Sequence, residues 1–385
     1  MIQRKCILTK TNSLFLFGPR GCGKTTFLQQ RKEANTLFID LLDIETYDEY
    51  LLEPARFRDF INTSENKDKK VIIDEVQRLP RLLDIVHLEI QKNKRIFILT
   101  GSSSRKLKQK GTNLLAGRAW IYHLYPFSFT ELGKDFDLQK ALERGGLPDA
   151  YLAQNIQDCK EYLNSYVSTY LQKEIQEEQW VKNLAPFRKF LAIAAQMNGK
   201  IINKSKIAKE IGINDVTVSN YFEILEDTLI GISLPAFHKS IRKAQRQAPK
   251  FYLIDTGIKR ALDKTIIIPL TPRTSDYGNT FEHWVILECI KNSHYRRLEW
   301  SFSYLRTKDG LEIDLIIERP GLTTLLIEIK SKTKVTLDDI KSLELLGYDI
   351  DPKAQKILIS NDPLERTIKN TKITHWKQFF LELFS

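Results

Sequence analysis

The stretch that most constrains this chain is "LFLFGPRGCGKTTFL", residues 14–28. An apolar run stops at a loop that concentrates Gly18, Pro19, Gly21 and Gly23, and a helix-like segment follows. The spacing G-x-x-x-x-G-K-T, from Gly18 through Gly23 to Lys24 and Thr25, is that of a phosphate-binding loop. In such a loop the backbone curls so that its N–H groups line a concave anion site, and glycine permits the close approach. "SLFLFG" reads as a buried parallel strand and "KTTFLQQRKE" as a helix whose N-terminal end adds positive potential. Lys24 is expected to reach the β- and γ-phosphates of ATP, and Thr25 to hold Mg²⁺ through its hydroxyl. Pro19, Arg20, Gly21, Cys22 and Thr26 complete the expected nucleotide cradle.

A strand followed by a phosphate loop predicts an α/β fold with a largely parallel sheet. At 385 residues the chain exceeds one ordinary domain, which predicts two or three. No apolar run reaches the ~20 residues that a membrane span requires. Cys6, Cys22, Cys159 and Cys289 are scattered without metal-ligand spacing, so a reducing, cytoplasmic setting is expected. The formal net charge of +11 favours a polyanionic partner, nucleic acid above all.

In "KKVIIDEVQRLP", residues 69–80, Asp74 and Glu75 end an apolar strand, where open parallel sheets carry their ligands. Asp74 is expected in the Mg²⁺ shell, directly or through water. Glu75 is expected to orient and activate the attacking water. "RIFILTGSSS", residues 95–104, ends a further strand in Gly101, Ser102 and Ser103, placed to sense the γ-phosphate. "LLAGRAWIYHLYPFSFTEL", residues 114–132, supplies Arg118 as the candidate finger arginine, acting on a neighbouring subunit.

"GPRGCGKTT", "VIIDEVQRLP", "ILTGSSS" and "LAGRA…LYPFSFTEL" resemble the AAA-type ATPases of the prokaryotic family that carries a C-terminal domain called DUF4143. The resemblance implies Walker A, Walker B and sensor-1 roles for the first three segments. It also implies an additional strand, "TLFIDL", between Walker A and Walker B. "RGGLPDAYL", residues 144–152, is similar to the start of that family's helical lid, and no second sensor arginine is evident. ATPases of this type often act as rings or dimers, so a homo-oligomer is expected.

Within residues 200–234 a short helix, 205–211, stops at Gly212. Asn214 or Asp215 caps the next helix, which is expected to bury Val216, Val218, Tyr221, Phe222 and Leu225. Two strands, "ISLPAF" and "KFYLIDTGI", flank "HKSIRKAQRQAPK", residues 238–250. A basic hairpin after a helix-turn-helix reads as a winged helix. Its Lys239, Arg242, Lys243, Arg246 and Lys250 are candidate contacts to DNA phosphates.

The last region carries "YGNTFEHWVILECI", then "YLRTKDGLEIDLIIERP" and "TTLLIEIKSKTKV". Strand alternation sets Asp314 opposite Ile313, Leu315 and Ile317, and makes Glu328 and Lys330 project together. Charges in apolar strands are costly unless paired or metal-bound. Glu282, Asp314, Glu328 and Lys330 are similar to a PD-(D/E)xK nuclease core, with Ile313 standing where the named motif has proline. That resemblance implies Mg²⁺ or Mn²⁺ on Asp314 and Glu328, with Lys330 positioning or activating water.

The expected organisation is an ATPase core over 1–130, a helical lid and winged helix over 131–260, and a nuclease-like α/β end over 261–385. The expected function is Mg²⁺-dependent ATP hydrolysis coupled to DNA binding, remodelling or cleavage. The alternatives are a nucleotide-controlled switch or a DNA-binding regulator whose last domain is non-catalytic and binds a partner.

Overall fold

A computed structural model of the chain describes residues 2–103, 115, 117–171, 184–239 and 247–384. The chain forms two units, Met1–Phe127 with Asp227–Ile230, and Ser128–Glu226 with Gly231–Ser385.

The first unit holds a sheet of β1 (Ser13–Phe17), β2 (Thr36–Asp40), β3 (Lys70–Asp74), β4 (Phe97–Gly101) and β5 (Ala119–His123). All are parallel, in the order β2-β3-β4-β1-β5. Strand β1 lies inside the sheet between β4 and β5, and its five residues are all buried, as a parallel strand covered on both faces demands. Phe15 and Phe17 stack, with centroids 5.4 Å apart, and join Val71, Ile73, Leu99, Phe57 and Val86 in one core. The expected additional strand is β2. The helix after the phosphate loop, α1 (Lys24–Gln29), is shorter than its sequence suggested. Past its end, Arg31 folds back over the Phe27 ring and donates to the Cys6 and Arg4 carbonyls.

The second unit contains α2 (Leu184–Gln196), α3 (Lys204–Ile211) and α4 (Asp215–Asp227), which lies in this unit up to Glu226. The antiparallel pair β6 (Gly231–Leu234) and β7 (Lys250–Leu253) follows. Gly212 ends α3 in the left-handed region at φ 81°, and the Asn214 side chain accepts from Thr217 N at 2.7 Å to start α4. Val218, Tyr221, Phe222 and Leu225 are buried as expected. Val216 is not: it lies on the outer side of the first turn and is 69% exposed. The strand read from "KFYLIDTGI" ends at Leu253, because Asp255 caps a helix over Thr256–Leu262.

Downstream come α5 (Ser275–Tyr295), β8 (Ser301–Arg306), β9 (Glu312–Glu318), β10 (Leu325–Lys330), α6 (Lys341–Ile350), β11 (Gln355–Ser360), β12 (Arg366–Ile368), β13 (Thr371–His375) and α7 (Trp376–Leu383). These strands make one mixed sheet, ordered β12-β13-β11-β10-β9-β8. Phe237 packs into the core formed by Ile313, Ile316, Leu326 and Leu343, so the middle and end regions share one hydrophobic interior. The segment "SFTEL" belongs to this unit too. Phe129 N donates to Glu288 Oε2 at 2.8 Å and Thr130 Oγ1 to Asn292 Oδ1 at 2.6 Å, both on α5. The rings of Phe129, Phe136, Trp284 and Trp376 interlock edge and face against α5. Among the described residues no helix is long and apolar enough to cross a membrane.

Candidate functional site

In the first unit the strand ends of β1, β3 and β4 bring the expected nucleotide residues together. Gly18 N donates to Gly101 O at 3.3 Å, which joins the loop to the end of β4. A Cβ on Gly18 would lie 2.2 Å from Leu124 O, so only glycine fits there. Gly23 takes φ 89° as the residue before α1. Lys24 is buried and folds back on the loop, donating to Gly18 O at 2.9 Å and Pro19 O at 3.3 Å. Loop carbonyls thus hold the ammonium beside the concave face. Thr25 Oγ1 donates to Asp74 Oδ2 at 2.6 Å, and the Thr100 hydroxyl donates to Asp74 Oδ1. Asp74 has no exposed surface. One buried carboxylate and one hydroxyl, with the rest of the shell left to water and phosphate, is a donor set that suits Mg²⁺.

Glu75 sits in the left-handed region at φ 59°. Its N–H donates to Thr100 Oγ1 at 3.0 Å. The Gln77 amide donates to Glu75 Oε2 and, at 3.3 Å, to Ser102 Oγ. Gln77 therefore bridges the expected water-activating carboxylate and the expected sensor. Thr100 and Gln77 are functional candidates that the sequence reading missed, although Gln77 stands only two residues after Glu75. Arg4 is a third: it is 6% exposed, donates to Cys22 O at 2.7 Å and to Tyr125 O, and lies over the Phe127 ring. It braces the loop from behind, and no local signal marks it. Burial pushes the Cys22 thiol above its ordinary value, against the lowering pull of Lys24 and Arg4.

Arg118 is exposed and precedes β5, whose first residue pairs with Ser13. It therefore stands at the edge of the sheet opposite the phosphate loop, roughly 16 Å along a strand of this length. The structure does not bring it to its own Lys24.

In the second unit the expected carboxylates do converge. Register between β9 and β10 runs Leu326↔Ile316 and Ile327↔Leu315, so the next step sets Glu328 against Asp314. Asp314 Oδ2 accepts from Ile329 N at 2.8 Å. Lys330 Nζ lies 2.5 Å from Glu328 Oε1, while Glu328 Oε2 is buried without a partner. Burial, reinforced by Glu328 and Glu282, pushes the Asp314 carboxyl well above the usual range. Burial also raises Glu328, against the lowering effect of Lys330.

Lys250, expected among the wing's phosphate-facing cations, belongs to this carboxyl cluster instead. It is 3% exposed, with Nζ 2.5 Å from Glu312 Oε1 and 3.3 Å from Glu282 Oε1. Tyr252 donates its hydroxyl to Glu282 Oε1 at 2.8 Å. Glu312 and Tyr252 are further members the sequence reading missed. Lys239 is exposed, and Arg242, Lys243 and Arg246 lie outside the described residues. Among the described residues no group of three or more His, Cys, Asp or Glu is arranged to hold a metal ion.

Three families match the chain: an AAA domain over residues 10–133, a domain of unknown function, DUF8612, over 135–267, and a domain of unknown function, DUF4143, over 277–379. An uncharacterised protein of Mycobacterium tuberculosis is 25% identical across 80% of this chain and 68% of its own. Two uncharacterised proteins of Methanocaldococcus jannaschii are similar as well. One is 25% identical across 97% of this chain and 85% of its own, the other 26% across 94% and 87%. The crystal structure of NtrX from Brucella abortus aligns with 14% identity and a TM-score of 0.24, over 74% of this chain and 59% of that one, too low to bear on the fold.

Proposed function

This chain joins an AAA domain to a C-terminal DUF4143 domain, and from that we propose that it hydrolyses ATP with Mg²⁺ and couples the hydrolysis to contact with DNA. The observation that carries the hydrolysis is the buried Asp74, bonded to Thr25 of the phosphate loop on one oxygen and to Thr100 on the other.

In this reading Lys24 leaves the Gly18 and Pro19 carbonyls to meet the β- and γ-phosphates. Thr25 and Asp74 would hold Mg²⁺, which would supply charge neutralisation for the phosphates. Glu75 accepts a proton from the attacking water, with Gln77 fixing its carboxylate and Ser102 close enough to register the γ-phosphate. Arg118 stands at the edge of the sheet opposite its own loop, which supports a finger role toward a second copy of the chain. Such a role would make the active form a homo-oligomer. The helix-turn-helix with its following strand pair supports a winged helix, and Lys239, Arg242, Lys243 and Arg246 are its phosphate contacts. For the C-terminal carboxyl cluster we favour a module that binds without cutting, because Lys250 and Lys330 are bonded to its carboxylates.

Turnover by purified protein with and without DNA tests this. Lys24→Ala should abolish ATP hydrolysis. Glu75→Gln should keep nucleotide binding and lower turnover about a hundredfold or more. Full turnover in Glu75→Gln would remove the assignment, and turnover indifferent to DNA would remove the coupling.

A further inference from the structure

The C-terminal carboxyl cluster is partly neutralised from within, by two ammonium groups among four carboxyls. Lys250 and Lys330 answer Glu282, Glu312, Asp314 and Glu328. Lys330 comes from the same strand as its partner Glu328, but Lys250 enters from β7, and its ammonium also lies 5.5 Å from the Tyr304 ring centroid. Burial alone would lower the Lys250 ammonium, yet Glu282, Asp314 and Glu312 raise it, so it stays charged.

A divalent ion on these carboxylates would sit beside two ammonium groups, whose like charge opposes it. Here Glu282 Oε1 is taken by Lys250 and Tyr252, Glu328 Oε1 by Lys330, and Asp314 Oδ2 by a backbone N–H. With Lys250 and Lys330 bonded into the cluster, and no metal-holding group of three among the described residues, the residues present do not fit a metal centre as they stand. Glu328 Oε2, buried and without a partner, is the acceptor that a second cation would have engaged.

We propose that Lys250 is the resident cation of this cluster: it holds Glu282 and Glu312 where a divalent metal would otherwise sit, and it excludes such ions. The inference rests on the reading of the C-terminal domain as a module that does not cut, and gives that reading its physical cause. Replacing Lys250 by a neutral side chain removes one of the cluster's two ammonium groups and raises its surplus carboxylate charge, which favours metal uptake.

The test is Mn²⁺ binding to the nucleotide-free full chain, followed by calorimetry and by the electron paramagnetic resonance signal of free Mn²⁺. Wild type should show no stoichiometric site that Glu328→Gln removes. Lys250→Met should bind one Mn²⁺ at least tenfold more tightly, a difference of about 1.4 kcal/mol. Adding Glu328→Gln to that variant should abolish the new site and so locate it. Lys250→Arg keeps the charge and should stay closed to Mn²⁺. Should Lys250→Met not fold, Lys250→Gln, which retains a hydrogen-bond donor, takes its place. A neutral variant that binds Mn²⁺ no better than wild type overturns the resident-cation role but leaves the non-cutting reading standing. Stoichiometric Mn²⁺ on wild type, lost in Glu328→Gln, overturns both.

Discussion

At 1% exposure, His283 is the most enclosed titratable ring on α5. Its Nε2 donates to Leu253 O at 2.5 Å, its ring stacks on Tyr252, and its Nδ1 is buried without a partner. Burial drives the imidazole down to about 3, and Lys259 and Lys291 push the same way. The sign follows from which state takes the proton first. As pH falls through ~6.5 the unfolded chain protonates at this position while the folded chain does not. The contribution is thus complete above that pH and erodes below it, by about 2 kcal/mol at pH 5. Urea unfolding at pH 7 and pH 5 should show a loss about 2 kcal/mol larger in wild type than in His283→Gln, whose amide can still donate to Leu253 O and in which His294 and His375 still act. Equal losses would place the acid sensitivity elsewhere.

At the scale of elements, two glycines that end helices separate backbone strain from contact. Gly145 follows the helix Leu138–Arg144 at φ 78°, and a Cβ there would lie 1.9 Å from Asp255 Oδ1. That carboxylate cannot yield, since it accepts from Gly146 N at 2.6 Å and from Ile258 N at 3.1 Å, where it starts the next helix. Gly212 ends α3 at φ 81° with nothing within 4 Å of its added Cβ. Gly212→Ala should cost about 1 kcal/mol, the strain alone. Gly145→Ala adds a clash inside a buried network and should cost about 3 kcal/mol or more. Comparable melting temperatures for the two variants would refute the role given to Asp255. The same contrast explains what was legible beforehand. Gly212 as a helix stop, Asn214 as a cap and the alternation around Asp314 and Glu328 are local properties, and each was read from neighbouring residues. Lys250 was not, because it closes a run of wing cations and its partner Glu282 lies 32 positions away. Arg4 was hidden for the same reason, its acceptors being 18 and 121 positions along the chain. Val216 shows the limit of apolar character as a guide to burial: it occupies the outer side of a first turn that has nothing to pack against.

For the whole molecule, the +11 charge is informative only after the internally spent cations are set aside. Lys250 looks from sequence like one more phosphate contact, but its ammonium is committed to Glu282 and Glu312. The segment 239–246 keeps Lys239, Arg242, Lys243 and Arg246 without an acidic neighbour. If these contact DNA phosphates, each engaged cation contributes about 0.9 to the slope of log Kobs against log salt. Replacing Arg242, Lys243 and Arg246 together by alanine should therefore lower that slope by about 2 to 3. ATP turnover without DNA should remain, since the phosphate loop lies in the other unit. Lys250→Gln should leave the slope unchanged, because its ammonium is buried against carboxylates and releases no counterion from DNA. Fluorescence anisotropy of labelled duplex across a range of salt measures both. A triple variant with the wild-type slope would move the DNA contact to another surface, and a Lys250→Gln variant that lost about one unit would return that lysine to the wing.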